Sequence, residues 1–109
     1  MTITIAKIED TEYGKKAVLD APYDVKDYIK VLPWGDGKFS DAGIPQTDNV
    51  DGAAATAAER FDFPDEYAAH PNWNGDSWEI DKDAVQTAIA FWKSAGHNVE
   101  AETDVQDVL

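Results

Sequence analysis

Apolar and polar positions alternate from residue 2 to residue 8, Thr-Ile-Thr-Ile-Ala-Lys-Ile. That period of two turns Ile3 and Ile5 inward, with Ile8 a further candidate, and predicts a half-buried strand. Residues 10–14 are turn material. The run Lys16-Ala-Val-Leu-Asp-Ala21 is a second extended segment, the expected hairpin partner of the first. Pro22 breaks it. Asp24 can cap a short helix over residues 25–32, with Val25, Tyr28, Ile29 and Leu32 on one face. Pro33 ends that helix, because the residue before a proline avoids the helical region. Trp34 follows at once and reads as a core plug closing the helix end.

The clearest pattern starts at Trp73. Asn74-Gly75 signals a two-residue hairpin turn. Residues 77–80 alternate and carry Trp78 and Ile80, so they read as a strand. Asp81 or Asp83 can cap the next helix, and Asp83 with Gln86 fits a capping box. Val85, Ala88, Ile89 and Trp92 then recur at helical spacing. Gly96 stands where a left-handed residue ends a helix. Residues 98–103 read as a final strand and residues 104–109 as a frayed acidic tail.

Between these halves, residues 35–50 are dense in Gly, Asp, Pro, Ser and Asn and show no period, which predicts a loop. The Ala-rich run 51–61 favours a helix capped by Asp51, with a thin apolar face. Residues 35–72 therefore read as an insertion carrying exposed aromatics at Phe39, Phe61, Phe63 and Tyr67. It is either a surface excursion or a partner-binding arm anchored by Phe61, Phe63 and Tyr67. The whole chain, 1–109, reads as one two-layer α+β domain. It has one antiparallel sheet with two main helices on one face, in the order ββα, insertion, ββα, β. The expected core is Ile3, Ile5, Val18, Leu19, Ile29, Leu32, Trp34, Trp78, Ile80, Val85, Ile89, Trp92 and Val99.

Charge changes the picture more than size does. Twenty-two acidic residues face nine basic ones, a formal net charge of −13 on 109 residues. The carboxylates run through the whole chain instead of gathering in a tail. In dilute buffer such self-repulsion destabilises a compact state. In molar salt the screening length falls to about 3 Å and the cost fades. The composition suits a salt-accumulating cytoplasm, that of a halophilic archaeon, or a virion assembled there. Four Trp, four Tyr and four Phe supply enough buried area for a core. Cysteine is absent, so no disulfide or thiolate chemistry is expected. The start, Met-Thr-Ile-Thr-Ile, lacks the features of a leader, and no run approaches a membrane span.

Motifs for catalysis are missing. Gly35-Asp36-Gly37-Lys38 lacks the glycine and the hydroxyl residue a phosphate loop needs. The stretch from Thr47 opens like a calcium loop but puts Ala58 where the bidentate Glu belongs. His70 and His97 are the only histidines and have no zinc spacing. No enzyme, cofactor or metal site is expected. Among the cations, Lys26 and Lys30 are one helical turn apart. If the first hairpin packs beside that helix, Lys15, Lys16, Lys26 and Lys30 could form a positive patch for nucleic acid. The favoured alternative is a solvated face neutralised by Asp20, Asp24 and Asp27.

The run Tyr23-Asp-Val-Lys-Asp-Tyr-Ile-Lys-Val-Leu32-Pro33-Trp34 is followed later by Trp73-Asn-Gly-Asp-Ser-Trp78-Glu-Ile80-Asp and a helix ending Ala95-Gly96-His-Asn-Val99. Together they resemble the small HARP-like module found beside SNF2-type helicases and in short haloarchaeal and haloviral proteins. The resemblance covers the first and last thirds of the chain. It implies an α+β module associated with DNA or with a DNA-processing machine. The expected function is a small non-catalytic, salt-adapted binding module, nucleic-acid-associated or accessory to a helicase. The alternative is a viral or assembly protein that uses the 35–72 insertion. A protein partner is expected, with nucleic acid as a second class and no membrane.

Overall fold

The structure, a computed structural model, describes residues 2–12, 14–34 and 50–108. Phe39, the Gly35–Lys38 turn and the opening of the stretch from Thr47 lie outside them. The chain forms β1 (Thr2–Thr11), β2 (Gly14–Asp20), a single 3-10 turn at Tyr23–Val25, and α1 (Lys26–Lys30). After the gap come α2 (Gly52–Arg60), β3 (Asn72–Trp73), β4 (Trp78–Asp81), a 3-10 turn at Lys82–Ala84, α3 (Val85–Ser94), β5 (Asn98–Ala101) and α4 (Thr103–Gln106). This is an α+β domain, and its order of strands and helices follows the hydrophobic pattern.

The five strands make one sheet in the order β3-β4-β2-β1-β5. It is mixed where an antiparallel sheet was expected, because β5 pairs with β1 in parallel. The cause is α3, which crosses one face and carries the chain from β4 past β2 and β1 to the far edge. A strand returning by such a crossover arrives parallel. The register also shifts between Ile5 and Lys7 in β1, so Ala6 is an extra residue there. That bulge brings Ile8 opposite Ala17 and so onto the same face as Ile3 and Ile5, although it is odd-numbered steps away from them.

Cross-strand pairing assigns the two faces. Leu19 lies opposite Ile5 and Trp78, and Ala17 opposite Ile80. These residues share a buried cluster with Val25, Ile29 and Leu32 of the α1 region and with Val85, Ala88, Phe91 and Trp92 of α3. Lys16, Val18, Glu79 and Asp81 point to the other face. Of the expected core, Trp34, Trp78, Ile89 and Val99 are only half-buried. Phe91, absent from that expectation, is fully buried, because α3 is covered on two sides instead of along one stripe.

Segment 50–72 is no excursion. Ala54 and Ala58 of α2, together with Tyr67 and Ala69, belong to the central cluster. A thin stripe of alanines suffices because small side chains let α2 lie close to its neighbours. Asp51 does cap α2, accepting a hydrogen bond from Ala53 N at 3.0 Å. The acidic tail also departs from expectation: residues 103–106 form α4, and Val105 is buried. Gly96 behaves as its position implied. It sits at φ +92°, Gly96 N–H donates to Lys93 O and His97 N–H to Trp92 O, each at 3.0 Å. This pair of bonds is a Schellman closure. Neither Asp81 nor Asp83 makes the expected side-chain cap.

Candidate functional site

The four lysines weighed as a patch do not share a surface, and the favoured alternative of carboxylate neutralisation fits three of them, though through Asp10, Asp81 and Asp27. Lys15 and Lys16 are neighbours on β2 and so point to opposite faces. Lys16 lies on the face away from the helices and pairs there with Asp81, its cross-strand neighbour. Lys15 pairs with Asp10 at 3.2 Å, exposed at the end of the hairpin. Lys26 is 3.7 Å from Asp27 and 4.0 Å from the centre of the Tyr23 ring. Lys30 is half-buried on α1, whose Ile29 faces the core side of the sheet. Alternation along one strand therefore breaks up the patch, and carboxylates offset three of the four charges.

The aromatics of segment 50–72 are not exposed anchors. Phe61 and Phe63 meet edge to face at 4.7 Å and lie 5.4 and 5.2 Å from Phe91. Tyr67 is 8 % exposed, stacks on Phe63, and donates its hydroxyl to Ala84 O at 2.7 Å. Burial, reinforced by the field of Asp81, pushes its pKa above the ordinary tyrosine value. These rings close the core around Phe91, a role small cores give to aromatics as readily as interfaces do.

Two arrangements were not read from the sequence. The first surrounds His70. Asp81 N–H donates to Ala69 O, while Asn72 pairs with Glu79. Three steps on one strand thus match two on the other, which defines a bulge at His70 and Pro71. His70 takes the left-handed conformation there, φ +47°. Its Nδ1 is 2.7 Å from Asp81 Oδ2, and its ring meets Trp34 edge-on at 5.6 Å. Asp81 so joins a lysine on one strand to a histidine on another, and the three together brace the bulge. Elsewhere, His97 is buried at Nε2, which has no hydrogen-bond partner among the described residues, and its ring lies 4.3 Å from Tyr28. Desolvation lowers its pKa.

The second is the open edge at β3. Trp73 is 53 % exposed, beside half-buried Trp78 at 5.6 Å between ring centres. The turn behind them sits one residue later than the Asn-Gly signal implied, at Gly75 and Asp76, because Asn74 N–H bonds Ser77 O. Asn74 folds its own side chain inward, so that Oδ1 accepts from Asp76 N and Ser77 N at 2.9 and 2.8 Å. Buried Glu79 accepts from Asn72 Nδ2 at 3.1 Å and, more weakly, from Asn74 Nδ2 at 3.4 Å. The strand and loop that present Trp73 are thus held by three side chains. The available signal was a Trp set between two asparagines in a polar turn, where no core position was due. Among the described residues no three His, Asp or Glu side chains gather as a metal site, and no helix is long and apolar enough to cross a membrane. Comparison with protein-family models, with curated proteins and with solved structures finds no match to this chain.

Proposed function

We propose that this chain is a small non-catalytic binding module, adapted to high salt, that works by holding a protein partner at the Trp73 edge of its sheet. The observation that carries this reading is the exposed indole of Trp73 on a two-residue edge strand that its neighbours hold in place. Tryptophan is among the residues enriched at binding hot spots, and Trp73 stands beside Trp78 as an aromatic pair on a braced edge. Direct binding to nucleic acid has less support, because Lys15, Lys16 and Lys26 each face a carboxylate. The helicase-accessory role implied by the HARP-like resemblance would then run through a protein of that machine. The site of action would be a high-salt cytoplasm or a virion.

A photo-reactive aromatic amino acid at position 73, which keeps a large ring where the indole stands, with a control at exposed Glu59, tests this. Cross-links to one protein from position 73 alone, lost as a complex in Trp73→Ser with an unchanged melting midpoint, are expected. Cross-links to nucleic acid, or equal yields from both positions, overturn the reading.

A further inference from the structure

The backbone at this edge specifies more than a sticky surface. Asn74 N–H donates to Ser77 O at 3.1 Å, so Asn74 and Ser77 form a hydrogen-bonded pair of the antiparallel ladder. Such pairs alternate with non-hydrogen-bonded ones. Trp73 and Trp78 are the next pair and therefore the open kind, and Asn72 with Glu79 is bonded again. In an open pair, an edge residue turns its own N–H and C=O away from the sheet. Trp73 thus offers one donor and one acceptor to solvent, beside an indole that is itself half out of the core. Further along, Pro33 O accepts from Ala69 N at 2.8 Å, so among the described residues the chain covers that part of the edge and leaves the Trp73 end open.

The chain as a whole is anionic, and at this edge Asp76 stands exposed in the turn. Glu79 and Asp20 project from the face opposite the Trp73 ring, Glu79 under the two asparagines. On that opposite face Lys7 pairs with Glu9 and also senses the Asp76 charge, while Lys16 pairs with Asp81. Resting on the reading of this edge as the partner site, we propose that it takes an extended segment of a basic protein. The segment adds as a strand to β3 through the N–H and C=O of Trp73, and sets a Lys or Arg side chain against the Trp73 ring. Strand addition supplies the backbone bonds. A cation over an indole face, on a chain of net charge −13 with Asp76 in the adjoining turn, supplies the side-chain preference. A second copy of this chain is disfavoured as the occupant, because nine cations among twenty-two carboxylates leave it few Lys or Arg side chains to set against the indole.

Three short peptides serve as probes in the KCl concentration at which the chain is fully folded. One alternates Lys with Val, one alternates Glu with Val, and one is the basic peptide N-methylated at alternate residues. Tryptophan fluorescence reads binding, amide hydrogen exchange at Trp73 reads pairing, and sedimentation reads self-association. The plain basic peptide is expected to bind and to protect the Trp73 amide. N-methylation should abolish that protection, and Trp73→Ser should weaken binding at least about tenfold. Equal binding of the N-methylated peptide overturns strand addition, and equal binding of the acidic peptide overturns the charge preference. Self-association lost in Trp73→Ser makes a second copy the occupant and overturns the basic partner. If no peptide binds, the inference falls. The broader reading stands or falls separately, on whether position 73 cross-links to a protein.

Discussion

Replacing Trp92 by alanine tests the architecture where it bears most weight. Its side chain is fully buried, on the face of α3 that lies against the sheet and the α1 region. Its indole N–H donates to Tyr28 O at 3.1 Å, which ties α3 to α1 across 64 residues of sequence. Truncating a buried Trp to Ala removes its transfer free energy and leaves a cavity, together about 3–5 kcal/mol. The abandoned Tyr28 carbonyl adds about 1 kcal/mol if no water reaches it. Domains of this size have about 5–15 kcal/mol in all, so the variant should be marginal at best. Trp92→Phe separates the two contributions, since it keeps most of the ring volume and loses only the donor. Denaturant titration in molar KCl measures all three proteins. A loss below about 1 kcal/mol for Trp92→Ala would mean that α3 does not pack on the sheet through this residue, and the proposed core would be wrong.

Four further outcomes follow from the same geometry. Thermal melts from low to molar KCl should show a rising midpoint, because −13 is spread over the chain; a flat or falling midpoint removes the salt-adaptation reading. At the bulge, His70→Val should be less stable than His70→Asn by about 1–2 kcal/mol, since both lose the imidazole and only Asn tolerates φ +47° readily; equal stabilities would deny the left-handed backbone. For His97 the folded pKa lies below the unfolded 6.5, so the unfolded chain takes the proton first as pH falls. The native protein should therefore lose stability relative to His97→Phe as pH drops through 6.5 toward that lower folded value, and a pH-independent difference would show the ring to be solvated. Affinity for the basic peptide should fall with KCl and then level off near molar salt, where ionic attraction is screened and backbone pairing persists; a decline that continues undiminished would leave electrostatics alone.

The element order was legible because each piece carries its own signal. Period two marks β1, proline closes the α1 region, helical spacing marks α3, and Gly96 ends it with the bonds a left-handed residue permits. What failed was information that lives between elements. Nothing in residues 98–101 says which edge of the sheet they join, so the parallel pairing with β1 was invisible. The Ala6 bulge was invisible too, because an extra residue changes which side chains face inward without changing composition. Phe61, Phe63 and Tyr67 looked exposed only because Phe91, against which they close, sat off the single stripe read for α3. The lysine patch failed for a local reason that could have been applied at once, since consecutive residues on a strand cannot share a face. At the candidate site the chemistry was on the page as Asn72-Trp73-Asn74, but its meaning depended on the hydrogen-bond phase of a hairpin that only coordinates reveal.

The proposed salt adaptation and the proposed partner site at the Trp73 edge constrain each other. A chain with this charge in molar salt cannot rely on long-range attraction, because charges more than about 3 Å apart hardly sense each other. What survives screening is contact chemistry: backbone hydrogen bonds, an indole face, and ion pairs close enough to exclude water. The acidic surface then serves to keep the folded chain hydrated. Selectivity has to sit in a small region where the backbone is open and the side chains are held. Glu79 is informative here, because it is buried and accepts from two asparagines instead of a lysine. A lysine in that position would fix the same loop and cancel the local charge. Amide donors fix the loop and leave the Glu79 carboxylate uncancelled on the face opposite the Trp73 ring. On the proposed reading, a rigid open edge with Asp76 in its turn then favours a basic strand over a polyanion through direct contact alone.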